Sequence, residues 1–265
     1  MKCALPIFPA LILALPSCQT VEGTGRRQLN FYSIESEISM GTEAYDQMLA
    51  GERVIASGSK ARMVERIGNR VAQAAVEHYP KYASRFDWEF KLIDGPKMVN
   101  AWALPGGKCA VYTGLLPVTQ DEDSLAVVMG HEVAHAILRH GGERMSQNTA
   151  IGIAMAGATI ALKDRPKKER NSILGAMGVG STIGIMLPFS RDHESEADEI
   201  GLMLSASAGY DPRKAIGLWE RMATAGGTSP PEWLSTHPSS KTRIKRLNKV
   251  MPEALKLYVA AGGQL

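Results

Sequence analysis

The 265-residue chain is short of cysteine, short of aromatic residues and without any long apolar run. Each scarcity closes off a class of protein. Its cysteines, Cys3, Cys18 and Cys109, are too few for a disulfide-stapled miniprotein and too odd in number to pair completely. No apolar stretch reaches the roughly 20 residues of a membrane-spanning helix. Basic and acidic residues nearly balance, 30 against 27, and a net charge of +3 gives no case for a nucleic-acid groove. What remains is a globular composition, 45% hydrophobic and 22% charged, which excludes disordered and collagen-like chains. The length suits one or two domains.

The N-terminus accounts for part of the odd cysteine count. Lys2 precedes the short apolar stretch Cys3–Pro16, which ends in Leu15-Pro16-Ser17-Cys18. That is the form of a secretory signal peptide. Its Leu-x-Ser-Cys end resembles a bacterial lipoprotein signal, in which Cys18 would become the lipidated first residue, and Gln19 favours the outer membrane. On this reading residues 1–17 are removed, 18–28 form a lipidated, Gly-rich polar tether, and 29–265 form one domain. Cys3 is then discarded and Cys109 is left alone, so no structural disulfide is expected. Cys109 reads as a small buried hydrophobe.

Helical periodicity marks Ser33–Leu49 and Ala61–Glu77. Phe86–Ile93, Met98–Leu104 and Lys108–Tyr112 read as strands, the last two joined by Pro105-Gly106-Gly107. Everything beyond about Thr119 reads as helix. The expectation is a mainly helical α+β fold with a small sheet.

The informative stretch is His131-Glu132-Val133-Ala134-His135, preceded by acidic residues and followed by Gly141 as a candidate helix cap. Residues four apart on a helix share a face, so both imidazoles can reach one metal ion. Glu132 can then contact a metal-bound water without binding the metal. Further along, Glu194 and Asp198 have the same spacing in Ser190-Arg-Asp-His-Glu194-Ser-Glu-Ala-Asp198. A hydrolytic zinc site takes three protein ligands and keeps a fourth position for water. Glu194 completes a His₂Glu set, and Asp198 can orient His131 from behind. Glu196 faces another side of the helix.

These motifs, with Gly25-Arg-Arg-Gln28, Asn100-Ala-Trp-Ala-Leu-Pro-Gly-Gly107, Tyr112-Thr-Gly114, Ala208-Gly-Tyr-Asp-Pro212 and Ser235-Thr-His237-Pro, resemble the HtpX-like and CAAX-prenyl-endopeptidase family of zinc metallopeptidases. The resemblance runs from about residue 25 to 246 and is greatest to lipid-anchored bacterial members, akin to a mitochondrial protease of overlapping activity. It implies a zincin-like fold and one Zn²⁺ held by His131, His135 and Glu194. It further implies Glu132 as general base, Asp198 behind the ligands, and His237 with Arg243 as a polar pair across the cleft. Either member of that pair could support a developing oxyanion. His237 could equally cap a following helix or close the fourth zinc position as a latch. The function implied is endopeptidase action on envelope or misfolded proteins at the periplasmic face of the outer membrane. The implied partners are peptide substrates, the membrane through the lipid anchor, and the outer-membrane assembly machinery. A zinc-bound chaperone with minor peptidase activity is the alternative; no acidic group offers itself to a substrate amino terminus, which disfavours an aminopeptidase.

Other residues have weaker signals. Asn100, Ala101 and Trp102 suit a sheet edge that accepts an extended peptide as an added strand. Between the two metal segments, Ile151–Leu162 and Ile173–Leu187 read as a buried hairpin packed through small residues, or as a lid or membrane contact. His78 and His193 are expected at the surface, and His140 at the C-terminal end of its helix.

Overall fold

Two amphipathic helices and a run of short strands precede a helical second half, and the computed structural model, which describes residues 18–182, 187–225 and 241–265, follows that division. An antiparallel ribbon, β1 (Cys18–Thr20) and β2 (Arg27–Leu29), leads into α1 (Ile34–Leu49), whose first turn is capped by Ser33. Next come β3 (Val54–Ile55), α2 (Ser59–His78), α3 (Pro80–Ala83), β4 (Glu89–Ile93), β5 (Ala101–Leu104) and β6 (Lys108–Tyr112). The helical half comprises α4 (Leu116–Thr119), α5 (Glu122–Ile137), α6 (His140–Ala161), α7 (Lys167–Ser181), α8 (Leu187–Ser207), α9 (Lys214–Thr224) and, after residues 226–240, α10 (Lys241–Ala260). The expected mainly helical α+β architecture is what the structure shows.

The sheet runs in the order β3-β4-β6-β5, with β4 and β6 parallel and the other pairs antiparallel. Alternation along the strands divides its two faces. Phe90, Leu92, Cys109 and Val111 join Ile67 and Val71 of α2 and Leu125 and Val133 of α5 in the main core. Ile93, Ala110 and Tyr112 form a smaller cluster with Trp102 and Leu49 on the other face. Cys109 is buried and unpaired, as its sequence setting suggested.

Helices α5 and α8 make the most extensive helix pairing, and glycine explains it. A Cβ on Gly130 would lie 2.4 Å from the carbonyl oxygen of Gly201, and one on Gly201 would lie 2.6 Å from the amide nitrogen of His131. Only two hydrogens in place of methyl groups let the backbones cross this closely. The crossing sits beside the first histidine of the motif and brings α8 onto it.

Four expectations fail. Residues 19–28 are not a loose tether: Val21 and Gln28 are buried, and Gln28 Nε2 donates to the Leu138 carbonyl at 2.8 Å. Gly141 is no cap, because α5 ends with Arg139 in the left-handed region at φ 58° and α6 starts at the next residue. Arg139 tolerates this because its buried guanidinium grips Glu37 through two nitrogens, at 3.1 and 2.7 Å. His193 is buried rather than at the surface, and His140, though it starts α6, is buried as well. The α6–α7 hairpin is not buried either: none of α7 is, and Ile153 and Ile160 are 67% and 69% exposed. Among the described residues, no helix is long and apolar enough to cross a membrane.

Candidate metal centre

Asp121 caps α5 by accepting from the Ser124 amide at 2.7 Å, and Glu122 and Asp123 add negative charge to its first turn. Thirteen of the sixteen residues of this helix are buried, His131 among them, while His135 is half-buried. His131 and His135 project one turn apart with their Nε2 atoms 3.1 Å from each other. From α8, Glu194 places Oε2 3.5 Å from His131 Nε2 and Oε1 3.4 Å from His135 Nε2.

These spacings fit a metal. A tetrahedral Zn²⁺ with bonds of about 2.0–2.1 Å has ligand-to-ligand edges of about 3.3 Å. Among the described residues Glu194 Oε1 is buried with no hydrogen-bond donor, an arrangement that would be costly without a cation. His131, His135 and Glu194 are also the one group among the described residues with metal-holding proximity.

The atoms behind the ligands fix their protonation. Asp198 Oδ1 lies 3.1 Å from His131 Nδ1. An ionised carboxylate only accepts, so Nδ1 carries the hydrogen and Nε2 keeps its lone pair for the metal. Burial, the largest influence on His131, pulls its pKa down, but Asp198 and Glu194 outweigh it and raise the pKa to about 9, so a metal arriving at neutral pH displaces a proton from Nε2. Burial instead takes His135 down to about 4. Burial opposes ionisation of Glu194 too, yet the two imidazoles hold its carboxyl well below the usual range.

Arg243, from α10, closes the back of the site. Its Nε and Nη2 donate to Asp198 at 2.6 and 2.5 Å, and Nη1 donates to Glu194 Oε2 at 3.1 Å. The guanidinium also stacks 3.6 Å from the Trp219 ring centroid. The expected oxyanion role is therefore not what the structure assigns to Arg243. A buried fork donating to two carboxylates positions Glu194 and Asp198. His237 lies outside the described residues, as do residues 1–17, expected as a signal segment, and Ser235-Thr236.

Glu132 is buried on α5 and lines a small cavity with Ala101, Trp102, Cys109 and Met129. Strand β5 is the sheet edge, as expected for the Asn100–Trp102 segment. The Tyr112 amide donates to the Asn100 carbonyl at 3.0 Å, so in this antiparallel register Asn100 and Trp102 turn their backbone groups toward β6. Ala101 and Ala103 turn theirs outward. Asn100 Oδ1 accepts from the Ala101 amide at 2.9 Å, and among the described residues the Ala101 carbonyl and both backbone groups of Ala103 are left for a further strand. Trp102 packs edge-on to Tyr45.

Sequence reasoning missed the second layer on the His135 side: Arg26, His140, Glu143, His193 and Glu196 form one connected network. His140 has its pKa pushed well below the ordinary value, first by burial and then by the His135 and His193 imidazoles and Arg26 that face it. Its sequence signal was the third histidine five residues beyond His135. Trp219 and the Gly130–Gly201 crossing gave no motif at all.

Comparison with known proteins gives a consistent picture. Residues 58–251 match the model of Peptidase family M48. The mitochondrial metalloendopeptidase OMA1 of Schizosaccharomyces pombe is 36% identical over 236 residues, covering 87% of this chain and 66% of that protein. The protein of the same name from Arabidopsis thaliana is 40% identical over 189 residues, covering 71% of this chain and 36% of its own length. The beta-barrel assembly-enhancing protease of Yersinia pestis is 26% identical over 230 residues, covering 83% and 46%. The chain thus spans between about a third and two thirds of the length of these relatives.

Proposed function

Because the chain belongs to peptidase family M48, we propose that it is a zinc-dependent endopeptidase whose ligands are His131, His135 and Glu194. The observation that carries this reading is the convergence of two Nε2 lone pairs and the donorless Glu194 Oε1, with Glu132 on the same helix. When bound, the metal supplies a Lewis acid that polarises the scissile carbonyl and lowers the pKa of a coordinated water toward about 7. Glu132 takes the proton from the attacking water and delivers it to the leaving amine. Asp198 and Arg243 hold the ligands in place. The open edge of β5 binds the substrate backbone through the Ala101 carbonyl and the Ala103 amide and carbonyl, with hydrogen bonds indifferent to side-chain identity.

The bacterial relative's name, a beta-barrel assembly-enhancing protease, supports a role in protein quality control or assembly in a bacterial envelope. The Cys18 lipid anchor and periplasm-facing outer-membrane location belong to the same proposal. A chaperone-like second reading draws on the exposed α6–α7 hairpin, a surface to which clients could dock. Glu132→Gln separates the two. It should abolish cleavage of an unfolded casein substrate with zinc content intact; undiminished cleavage would remove the proposed mechanism.

A further inference from the structure

The side of the site opposite Asp198 is built differently. Among the described residues, the group behind His135 is an imidazole: its Nδ1 lies 2.9 Å from Nδ1 of His140. His140 Nε2 lies 3.0 Å from Glu196 Oε2, and Glu196 Oε1 accepts from Arg26 Nε at 2.9 Å. Arg26 also forks onto Glu143, donating at 2.9 and 2.7 Å. Glu143 Oε2 in turn lies 2.9 Å from His193 Nε2, and the His193 ring stacks on His140 with centroids 4.2 Å apart. His140, Glu143 and His193 are all buried.

The hydrogens in this chain can be placed by elimination. Ionised Glu196 only accepts, so His140 Nε2 is the protonated nitrogen. Neutral His140 then offers a lone pair at Nδ1, and His135 Nδ1 must donate to it. That leaves His135 Nε2 without hydrogen, the tautomer a metal requires.

We propose that His140, Glu196 and Arg26 are positioning residues for metal ligand His135, which makes the ribbon segment carrying Arg26 part of the metal centre. The inference rests on the zinc reading of the site. Arg26 lies outside residues 58–251 that match the family model, so a minimal domain cut to those residues would lack the end of the relay.

The test measures metal binding, not cleavage, on the full chain carrying Glu132→Gln to prevent self-digestion. Zinc affinity is read by chelator competition, and geometry by the visible absorption of the Co²⁺-loaded protein. His140→Leu should weaken zinc 10–100-fold and alter the cobalt bands. Glu196→Gln, nearly isosteric and less of a threat to folding, should do the same to a smaller degree. Arg26→Ala should also weaken zinc, with Arg26→Lys recovering part of the loss. Because the residues act in series, Arg26→Ala combined with His140→Leu should cost little more than His140→Leu alone. Folded His140→Leu and Glu196→Gln proteins with unchanged affinity and unchanged cobalt bands would overturn the proposal. So would losses that simply multiply in the double variant. If the parent protein binds neither zinc nor cobalt, the zinc reading itself fails, a result distinct from parent-like binding in the variants.

Discussion

Gly201→Ala should separate the two helices that build the metal centre. The added methyl would meet the His131 amide nitrogen at 2.6 Å and the Gly130 carbonyl carbon and His131 Cα at 2.7 Å each. Ordinary contacts start near 3.4 Å, so α5 and α8 must part by nearly 1 Å. All three atoms are backbone and cannot rotate away. Overpacking of this kind costs about 1–3 kcal/mol, and the rigid neighbours put it at the upper end. Alanine recovers about 1 kcal/mol of helix propensity, leaving a net loss of about 2 kcal/mol. Gly152→Ala is the control: it lies in α6 with open space around its Cβ and should gain about 1 kcal/mol. The same displacement would stretch the 3.4–3.5 Å edges between Glu194 and the histidines beyond what tetrahedral zinc spans. Urea unfolding and zinc content of the purified proteins measure both effects. Equal stability changes in the two variants, with full zinc in Gly201→Ala, would refute the idea that the glycine crossing sets the site.

Further outcomes follow from the same geometry. Glu132→Gln should lower kcat by about 10²–10⁴-fold with metal retained, the usual worth of a general base, as measured on a quenched peptide. Glu194→Ala should lower bound zinc in elemental analysis, since it removes the donorless oxygen. Ala103→Pro removes an outward-facing amide at the sheet edge and should reduce kcat/KM about tenfold without changing zinc content, one lost hydrogen bond. The Glu143 carboxyl is opposed by burial but held at about pH 2 by His193 and Arg26, below its ordinary 4.5. A lowered folded-state pKa stabilises the protein above pH 4.5, and that contribution disappears as pH falls toward 2. Glu143→Gln should therefore flatten the acid-unfolding curve in that window.

Much of the site was legible because metal ligation imposes short-range spacing. His131, His135, Glu194 and Asp198 sit at helical intervals that need only a helix to become a cluster. The edge strand was legible too, since a Pro-Gly-Gly turn and small alanines mark it. His140 and His193 were not, because a histidine next to charged residues reads as solvated until a distant Arg26 and Glu143 bury it. The same holds for the ribbon: a Gly-rich polar segment carries no sign that Gln28 and Arg26 will find carbonyl and carboxylate partners over a hundred residues away. The α6–α7 hairpin failed in the other direction. Apolar, alanine-rich helices suggest burial, yet nothing in their pattern says whether a neighbour exists to bury them.

The placement of Arg243 on the last helix has a temporal consequence. Glu194 and Asp198 are both synthesised well before the guanidinium that holds them, and Trp219, on which it stacks, precedes it as well. At roughly 5–20 residues per second, the ribosome reaches Arg243 some seconds after Glu194. During that interval the two carboxylates lack their shared cation. The nascent chain therefore carries both metal-binding motifs before it carries the guanidinium that joins their carboxylates, and the assembled cluster waits on the helix that bears Arg243.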